Sequence, residues 1–370
     1  MLRTVRQISF PMTDLYGRDF ISTGDFSRSE LSDILDLAIQ YKRQGHGRPL
    51  AGKTIILIFF NPSLRTRTSM DIAVHQLGGH SVVLDVGKGT WTLEYREGVI
   101  MDGDKTEHVK EAARVLSQYA DALAVRSFPT MTTYAEDRQD PVIRSFQRES
   151  TVPVINLESA MFHPLQAMAD VMTIREKFGL VDQRKVVLTW AYHPKPLPMA
   201  VPNSFALAAA QFGMNLTIAC PPEYDLDPDL MTLIRRHAEA NGSHVEIIHD
   251  QREACRGAEI IYAKSWGSRH YYGRLDEEIA LRQNYRHWIV TEELMKLTDH
   301  GYFMHCLPVR RNVVVTDSVL DSDRSIVVEQ AANRLHVQKA ILTMLLGQPP
   351  AEADWLTGHE IERGDPSATR

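Results

Sequence analysis

Residues 53–69, which read KTIILIFFNPSLRTRTS, combine a strand signal with an anion-binding signal. The run IILIFF has no polar interruption, which is typical of a strand that is buried on both faces of a parallel sheet. Asn61 and Pro62 end the run, and a helix can start from Ser63. The stretch therefore predicts an α/β protein in which a helix follows directly on a buried strand.

The predicted start of this helix is rich in hydrogen-bond donors. The first turn of any helix has backbone N–H groups without intrahelical partners and lies at the positive end of the helix dipole. Hydroxyl and guanidinium side chains add to these donors, and a guanidinium can bind phosphate through two hydrogen bonds. The side chains concerned are Ser63, Arg65, Thr66, Arg67 and Thr68. We expect a phosphate site here; the alternative is that Ser63 merely caps a helix whose arginines are solvated.

Composition excludes several classes of protein. The chain has 370 residues, of which 44% are hydrophobic and 24% charged, and is long enough for two domains with separate cores. Lys and Arg total 41 against 47 Asp and Glu, so a net charge of −6 argues against nucleic-acid binding. Cys220, Cys255 and Cys306 are few and widely spaced, which favours a cytoplasmic protein over a disulfide scaffold. No stretch reaches the roughly 18 apolar residues of a membrane span, so no membrane partner is expected.

Strand-like and helix-like segments alternate and predict two doubly wound parallel-sheet domains. A capping-box pattern at Ser27 and Glu30 predicts a first helix. Further apolar runs predict strands near 81–85, 121–125 and 152–155, then at 185–190, 215–220, 245–248, 260–263, 288–290, 302–306 and 326–328. The predicted divisions are a first domain at 1–165, a second at 166–330, a helix over 331–346 packed on the first domain, and a poorly ordered tail at 347–370.

Polar residues that follow predicted strands are the best candidates for a site. In open parallel sheets, ligands bind beyond the carboxyl ends of the strands. Seven residues meet this condition, namely Arg126, Glu158, Lys264, His305, Cys306, Arg310 and Arg311. Four of these side chains are cationic, which favours an anionic substrate.

Three motifs resemble the signatures of the transcarbamoylase family. SLRTRTS at 63–69 is similar to the S-x-R-T-R carbamoyl-phosphate loop, HPLQ at 163–166 to HPxQ, and HCLP at 305–308 to a third signature. The motifs occur in the family's order and spacing, and the resemblance covers roughly residues 20–345. It implies carbamoyl transfer by a homotrimer, and a knotted connection around residues 192–202.

The resemblance also implies roles for individual residues. The phosphate of carbamoyl phosphate would be held by Ser63, Leu64, Arg65 and Thr66. The carbamoyl group would be held by Arg126, His163 and Gln166, with Cys306, Leu307 and Arg334 completing the site. We interpret Cys306 as a thiol that lines the pocket, since no base is adjacent to it in sequence. The donor is already activated, so the expected chemistry is positioning and charge stabilisation without a cofactor.

A metal ion is not expected either. Asp102, Asp104, Glu107 and His108 are potential ligands. However, Asp-Gly-Asp is a common turn and helix-start pattern, and we prefer that interpretation.

The stretch IIYAKSWG at 260–267 favours one branch of the family. Ornithine-specific members carry D-x-x-x-S-M-G, which binds a free α-amino group, whereas this chain has Lys264 there. A lysine repels an α-ammonium but can pair with the carboxylate of an amino acid whose α-nitrogen is acylated. Together with residues 89–108 and 192–198, this makes the chain similar to the N-acylornithine carbamoyltransferases. By that likeness Glu158, Lys264 and Arg310 orient the acylornithine.

Thr106 bears on whether the acyl group is succinyl or acetyl. The acetyl enzymes have the pattern MDGD-x-E-E-H, with a glutamate where this chain has Thr106, and the succinyl enzymes have proline. A glutamate would oppose the second carboxylate of a succinyl group, so the neutral Thr106 favours N-succinylornithine over N-acetylornithine. Trp91 lies in a glycine-rich loop which, by the resemblance, reaches the site of a neighbouring subunit.

Two other classes of protein remain as alternatives. A nicotinamide-dependent dehydrogenase would also be doubly wound, but no G-x-G-x-x-G follows an opening strand. A non-catalytic anion-binding protein could retain the arginine loop, but it would have no need of HPLQ and HCLP at separate strand ends.

Overall fold

The computed structural model describes residues 14–347 and contains two parallel β-sheets. The strands are β1 (Thr54–Phe59), β2 (His80–Asp85), β3 (Leu93–Glu94), β4 (Glu107–His108), β5 (Ala122–Arg126), β6 (Val154–Glu158), β7 (Lys185–Trp190), β8 (Asn215–Ala219), β9 (Val245–Ile248), β10 (Ile260–Lys264) and β11 (Tyr302–Met304). The α-helices are α1 (Arg28–Gln44), α2 (Arg65–Gln76), α3 (Val109–Leu116), α4 (Tyr134–Asp137), α5 (Pro141–Glu149), α6 (Pro164–Phe178), α7 (Ala200–Gln211), α8 (Pro228–Ala240), α9 (Gln251–Cys255), α10 (Leu275–Arg282), α11 (Glu292–Met295), α12 (Asp317–Leu320) and α13 (Val327–Leu346).

The sheet order confirms the predicted α/β class. The first sheet has the order β2-β1-β5-β6 and the second the order β11-β10-β7-β8-β9, with every neighbouring pair parallel. A short parallel pair, β3 with β4, lies outside both sheets. None of the helices between residues 14 and 347 combines the length and the hydropathy that a membrane span requires.

Strand β1 is buried on both faces, as its unbroken apolar run predicts. Ile55, Leu57 and Phe59 belong to a core that includes residues of α1, α2 and α13. Ile56 and Ile58 belong to a second core, formed with residues of α3 and α5. Because successive side chains of a strand point to opposite faces, helices cover both sides of the first sheet. The sheet is therefore doubly wound.

The last helix connects the two halves of the chain. Helix α13 packs against α1, α2 and α6, and the Tyr41 hydroxyl donates to Thr343 Oγ1 over 3.2 Å. The domain limits given above stay predictions, as does the knotted connection. The predicted tail lies outside the described residues apart from Gly347.

The structure confirms some of the helix and strand predictions made from short sequence patterns and contradicts others. The capping box is confirmed, because Ser27 Oγ accepts from the Glu30 N–H and Glu30 Oε2 accepts from the Ser27 N–H. The strand predicted at 326–328 is wrong, since α13 begins at Val327. The strand predicted at 288–290 is also wrong, because Val290 makes only an isolated bridge to Val315. A short apolar run shows that a segment is buried, but it does not distinguish an extended segment from a helical one.

A buried arginine on α10 supports the second sheet next to the site. The Arg282 guanidinium donates to Glu278 Oε1 over 3.0 Å and to the main-chain oxygens of His193 and Trp266 over 2.7 and 3.1 Å. It also lies 4.9 Å from the centre of the Trp190 ring. Arg282 therefore ties together two segments that follow the ends of strands.

We expect Arg282→Met to lower the free energy of unfolding by about 3–5 kcal/mol, because it leaves the Glu278 carboxylate buried and unpaired. The matched control is Arg274→Met, at the residue that directly precedes α10. Arg274 pairs with Glu277 three residues on, and both side chains are more than half exposed. Arg274→Met should lower the free energy of unfolding by no more than about 0.5 kcal/mol. Urea denaturation measures the stability of both variants. Equal losses of stability would contradict a structural role for the buried pair of Arg282 and Glu278.

Candidate active site

A cavity of about 650 Å³ lies at the carboxyl ends of strands from both sheets. Arg126 and Glu158 end β5 and β6 of the first sheet, and Lys264 ends β10 of the second. The cavity is lined by fourteen of the residues predicted from sequence, namely Ser63, Leu64, Arg65, Thr66, Arg126, Glu158, His163, Gln166, Lys264, His305, Cys306, Leu307, Arg310 and Arg334. Segments far apart in sequence thus meet where ligands bind in open parallel sheets.

The amino end of α2 forms one wall of the cavity. The side chain of Ser63 accepts from the Thr66 N–H over 3.2 Å, and the first residues of the helix line the cavity. Arg67 does not line it, because its Nη1 donates to both oxygens of Asp85 over 2.7 and 2.8 Å. The donor cluster predicted from sequence is therefore divided, with Arg65 at the cavity and Arg67 held in an ion pair.

Thr66 connects three elements at this wall. Its side chain is almost fully buried, and its Oγ1 accepts from Arg334 Nη2 over 2.6 Å. Arg126 Nη1 lies 3.5 Å from the same oxygen. Since these residues come from α2, α13 and β5, one hydroxyl fixes two guanidinium groups relative to the helix start.

Positive charge predominates in the cavity. Five cationic side chains line it, namely Arg65, Arg126, Lys264, Arg310 and Arg334. Among the described residues that line the cavity, the one carboxylate is Glu158. Arg126 Nη1 donates to Glu158 Oε2, and His163 Nε2 lies 3.7 Å from the same oxygen. Buried charges that lack counterions are costly, so an anionic ligand would offset a cost already built into the fold.

Burial changes the pKa values of the cationic groups. It lowers the pKa of Arg65 and of Lys264, and it lowers the pKa of Arg334 to about 10. Burial, with Arg334 and Arg126 nearby, holds the pKa of His163 well below its ordinary value. His163 is therefore neutral at pH 7, and it can donate a hydrogen bond without adding a charge.

The thiol of Cys306 is not set up as a nucleophile. Burial raises its pKa, although Lys264 acts in the opposite direction. A reactive cysteine needs a lowered pKa, because the thiolate is the attacking form. The protonated thiol agrees with the interpretation of Cys306 as part of the pocket lining.

Several further residues that no sequence motif marked as site residues line the cavity, and among them His193 has a clear chemical role. These residues are Pro62, Phe128, His193, Leu197, Pro198, Val201, Ser265, Pro308 and Val314. Arg310 Nε donates to His193 Nε2 over 2.9 Å, and burial lowers the pKa of His193 to about 4. His193 therefore accepts from Arg310 in its neutral form. Its position shortly after β7 was the available signal.

Trp91 and Thr106 do not line the cavity of this chain. Both lie beside the β3–β4 pair, where the Thr106 N–H donates to the Thr92 oxygen over 3.2 Å. Trp91 is 57% exposed, and its Nε1 donates to Glu107 Oε2 over 2.6 Å. Thr106 is exposed as well. Both residues are thus exposed at the surface beside the β3–β4 pair.

Within residues 14–347, one set of three potential metal ligands lies close together, namely Cys220, Asp225 and His249. The set lies outside the cavity, and the Cys220 thiol is 3.4 Å from Asp225 Oδ1 in a hydrogen bond. His249 Nδ1 also lies 2.8 Å from the Cys220 oxygen. The Cys220 thiol and His249 Nδ1 thus have hydrogen-bond partners within the protein. The expectation that the protein has no metal site stays a prediction.

Comparison with known proteins identifies the family. Residues 18–176 match the family model for the aspartate/ornithine carbamoyltransferase carbamoyl-P binding domain, and residues 199–345 match that for the Asp/Orn binding domain. The chain is 47% identical over 334 residues to an N-acetylornithine carbamoyltransferase of Xanthomonas campestris pv. campestris, covering 90% of this chain and 98% of that protein. It is 43% identical over 298 residues to an N-succinylornithine carbamoyltransferase of Bacteroides fragilis, covering 80% and 89%.

Solved structures give the same result. A crystal structure of acetylornithine transcarbamylase complexed with acetylcitrulline superposes with a TM-score of 0.88 at 46% identity, covering 90% of this chain and all of that chain. The protein therefore belongs to the aspartate/ornithine carbamoyltransferase family. It is an enzyme with the transcarbamoylase fold, and its resemblance to the N-acylornithine carbamoyltransferases is confirmed.

The different positions of Arg65, at the cavity, and Arg67, paired with Asp85, can be tested by measuring the binding of inorganic phosphate. We expect Arg65→Met to raise the Kd for phosphate about 10- to 100-fold, because hydrogen bonds from a charged donor to the anion are lost. Arg67→Met removes the same charge from the same helix but breaks only the pair with Asp85. It should change the Kd less than threefold. Isothermal titration calorimetry measures both, and equal effects would show that only the general positive potential matters.

Proposed function

We propose that this enzyme transfers the carbamoyl group of carbamoyl phosphate to the δ-amine of an N-acylornithine. The products are an N-acylcitrulline and phosphate, and we place the reaction in cytoplasmic arginine biosynthesis. The observation that carries the proposal is that Arg65 and Lys264 open onto the same cavity. One end of the cavity is thus suited to a phosphate, and the other is suited to a carboxylate-bearing acceptor. A variant of a related N-acetyl-L-ornithine transcarbamylase, with one glutamate replaced by alanine, was solved with carbamyl phosphate and N-succinyl-L-norvaline together.

The amino end of α2 is the natural place for the phosphate. Ser63, Leu64, Arg65 and Thr66 lie there, and the helix terminus supplies backbone donors. Next to them, Thr66, Arg126 and His163 would donate to the carbonyl oxygen as negative charge develops on it. The phosphate leaves with its charge compensated by the guanidinium groups. Since the carbamoyl group is already activated, holding the reactants in contact is the main task of the protein.

The neutral δ-amine would attack the carbonyl carbon directly. No covalent intermediate is required, which agrees with the protonated state of Cys306. The proton lost by the amine can pass to an oxygen of the departing phosphate. Gln166 would accept from the carbamoyl NH₂ and so fix the plane of the group under attack.

Lys264 supports an acceptor whose α-nitrogen is acylated. Its Nζ donates to the Ser265 oxygen over 2.8 Å, and burial lowers its pKa. A carboxylate at this point would offset the burial of the ammonium group, whereas a second ammonium would be repelled. Arg310, held by His193, and Glu158 would orient the remaining polar groups of the acylornithine.

For the acyl group we propose succinyl, with acetyl as the alternative. The support is the neutral side chain of Thr106, which does not oppose a second carboxylate. Variants of an N-acetyl-L-ornithine transcarbamylase in which one glutamate is replaced by Ala, Pro, Ser or Val were solved with N-succinyl-L-norvaline. Loss of a single acidic side chain is therefore compatible with a bound succinyl group in that protein. The slightly higher identity to the acetyl enzymes favours the alternative.

Trp91 and Thr106 would act on the cavity of a neighbouring subunit. Both are exposed beside the β3–β4 pair, and neither lines the cavity of its own chain. A large exposed aromatic side chain is well suited to contact with a partner. We propose a homotrimer in which each subunit receives these two side chains from its neighbour.

The reaction itself is tested by incubating the enzyme with carbamoyl phosphate and one of three acceptors. We expect N-succinylornithine to give the highest kcat/KM, N-acetylornithine a lower value, and ornithine little or no citrulline, because Lys264 repels its α-ammonium. Colorimetric assay of the ureido product measures all three. Turnover of ornithine alone would contradict the role of Lys264, and failure with all three would contradict carbamoyl transfer.

Thr106 is tested by Thr106→Glu. We expect the ratio of kcat/KM for succinylornithine over acetylornithine to fall at least tenfold, because the new carboxylate opposes the succinyl carboxylate. The control is Thr232→Glu, which adds the same charge at an exposed position on α8. The ratio should be unchanged in the control. A ratio that does not move in Thr106→Glu would exclude this residue from acyl selection.

A further inference from the structure

A buried carboxylate behind the cavity, Asp170 on α6, joins two motif segments through side-chain amides. Asp170 is fully buried, one turn after Gln166. Its Oδ1 accepts from Nε2 of Gln166 over 2.8 Å and from Nε2 of Gln330 over 2.7 Å. Gln330 Oε1 in turn accepts from the main-chain N–H of His305 over 2.9 Å. One carboxylate therefore links the HPLQ segment, the last helix and the HCLP segment.

This contact decides which end of the Gln166 amide is available to a ligand. The donor and acceptor ends of an amide are nearly equal in size, so packing alone does not distinguish them. Asp170 Oδ1 also accepts from Gln330 Nε2, so this oxygen serves as an acceptor, and Gln166 turns its own donor, Nε2, towards it. Gln166 Oε1 remains buried with no hydrogen-bond partner among the described residues, while Gln166 lines the cavity.

Burial and the neighbouring polar groups act in opposite directions on the pKa of Asp170. Burial raises the pKa of Asp170 to about 7, and the amides of Gln330 and Gln166 oppose the rise. The other groups that act on Asp170 are Tyr262 from β10 and Arg334 from α13, which also favour the ionised form. The amides and the carboxylate thus support each other, because each donor that Asp170 loses makes the protonated form more favourable.

We propose that Asp170 is a positioning residue for the carbamoyl group. By holding Gln166 Nε2, it presents Gln166 Oε1 to the carbamoyl NH₂, which needs an acceptor. A reversed amide would present a second NH₂ instead and leave both donors unpaired. This inference rests on the proposed function and deepens it. Asp170 makes none of the described hydrogen bonds at the phosphate end, so the loss of its contact with Gln166 acts directly on the carboxamide end.

The test compares two ligands in a double-mutant cycle. Phosphonoacetamide has a phosphonate and a carboxamide but cannot react, whereas inorganic phosphate has no carboxamide. We expect Asp170→Asn, which has the same shape but an amide that can itself reverse, to raise the Kd for phosphonoacetamide about tenfold. The Kd for phosphate should not rise by more than about twofold. In a Gln166→Ala background, Asp170→Asn should weaken phosphonoacetamide binding no further.

The matched control is Asn333→Ala. Asn333 Nδ2 joins the same two helices one turn further along, donating to Thr173 Oγ1 and to Glu176 Oε2, each over 2.8 Å. Loss of the Asn333 side chain should lower the Tm while leaving the Kd values for phosphonoacetamide and for phosphate unchanged. If Asp170→Asn weakens phosphate as much as phosphonoacetamide, or if its effect adds to that of Gln166→Ala, Asp170 has only a structural role and the proposal is overturned.

A second variant covers the case in which Asp170→Asn does not fold. Gln330→Met removes one donor from Asp170 without changing the formal charge, and it should weaken phosphonoacetamide about threefold while sparing phosphate. Equal weakening of both ligands would overturn the proposal. Transfer activity is measured on the same samples, where kcat should fall and the KM of the acylornithine should not change. A wild-type enzyme that binds phosphonoacetamide but transfers nothing would refute the proposed function alone, and the binding cycle would still decide on Asp170.

Discussion

Uncompensated positive charge at the junction of two parallel sheets is the constraint on which the structure of the site depends. Arg65, Arg126, Lys264 and Arg334 line one cavity, and Glu158 is the one carboxylate among its described lining residues. Desolvation makes such an arrangement unfavourable in the unliganded protein. It is maintained because large apolar cores on both faces of the first sheet hold the strands, and hence the charges, in place. An anionic ligand recovers part of that cost on binding.

The hydroxyl of Thr66 shows how the fold organises these charges. It receives Arg334 and lies within 3.5 Å of Arg126, so two guanidinium groups from distant parts of the chain share one anchor. Their mutual repulsion is tolerated because neither can move without losing a buried hydrogen bond. Neutral His163 adds a donor at the same place without adding to the charge. Preorganised donors of this kind are what stabilisation of a developing oxyanion requires.

Much of the site could be predicted because its residues stand in short motifs at strand ends. The loop at 63–69 and the residues Arg126, Glu158 and Lys264 follow buried strands, and parallel topology brings such ends together. The pairing of His193 with Arg310 could not be predicted, because the two residues are more than a hundred positions apart and no local pattern connects them. Residues 288–290 and 326–328 were assigned wrongly, because apolar runs report burial and only tertiary packing selects their conformation. Arg67 was grouped with Arg65, although Asp85 on the neighbouring strand holds it elsewhere.

The contribution of α13 to the phosphate end has a consequence for biosynthesis of the protein. Arg334, which anchors on Thr66, lies in the final described helix, whereas the rest of that wall comes from the segment between Ser63 and Arg126. A polypeptide still attached to the ribosome can assemble the first sheet early, since domains form as they emerge. It cannot yet close the pocket. This wall of the pocket is therefore complete only after Arg334 has been synthesised and α13 has packed on α2.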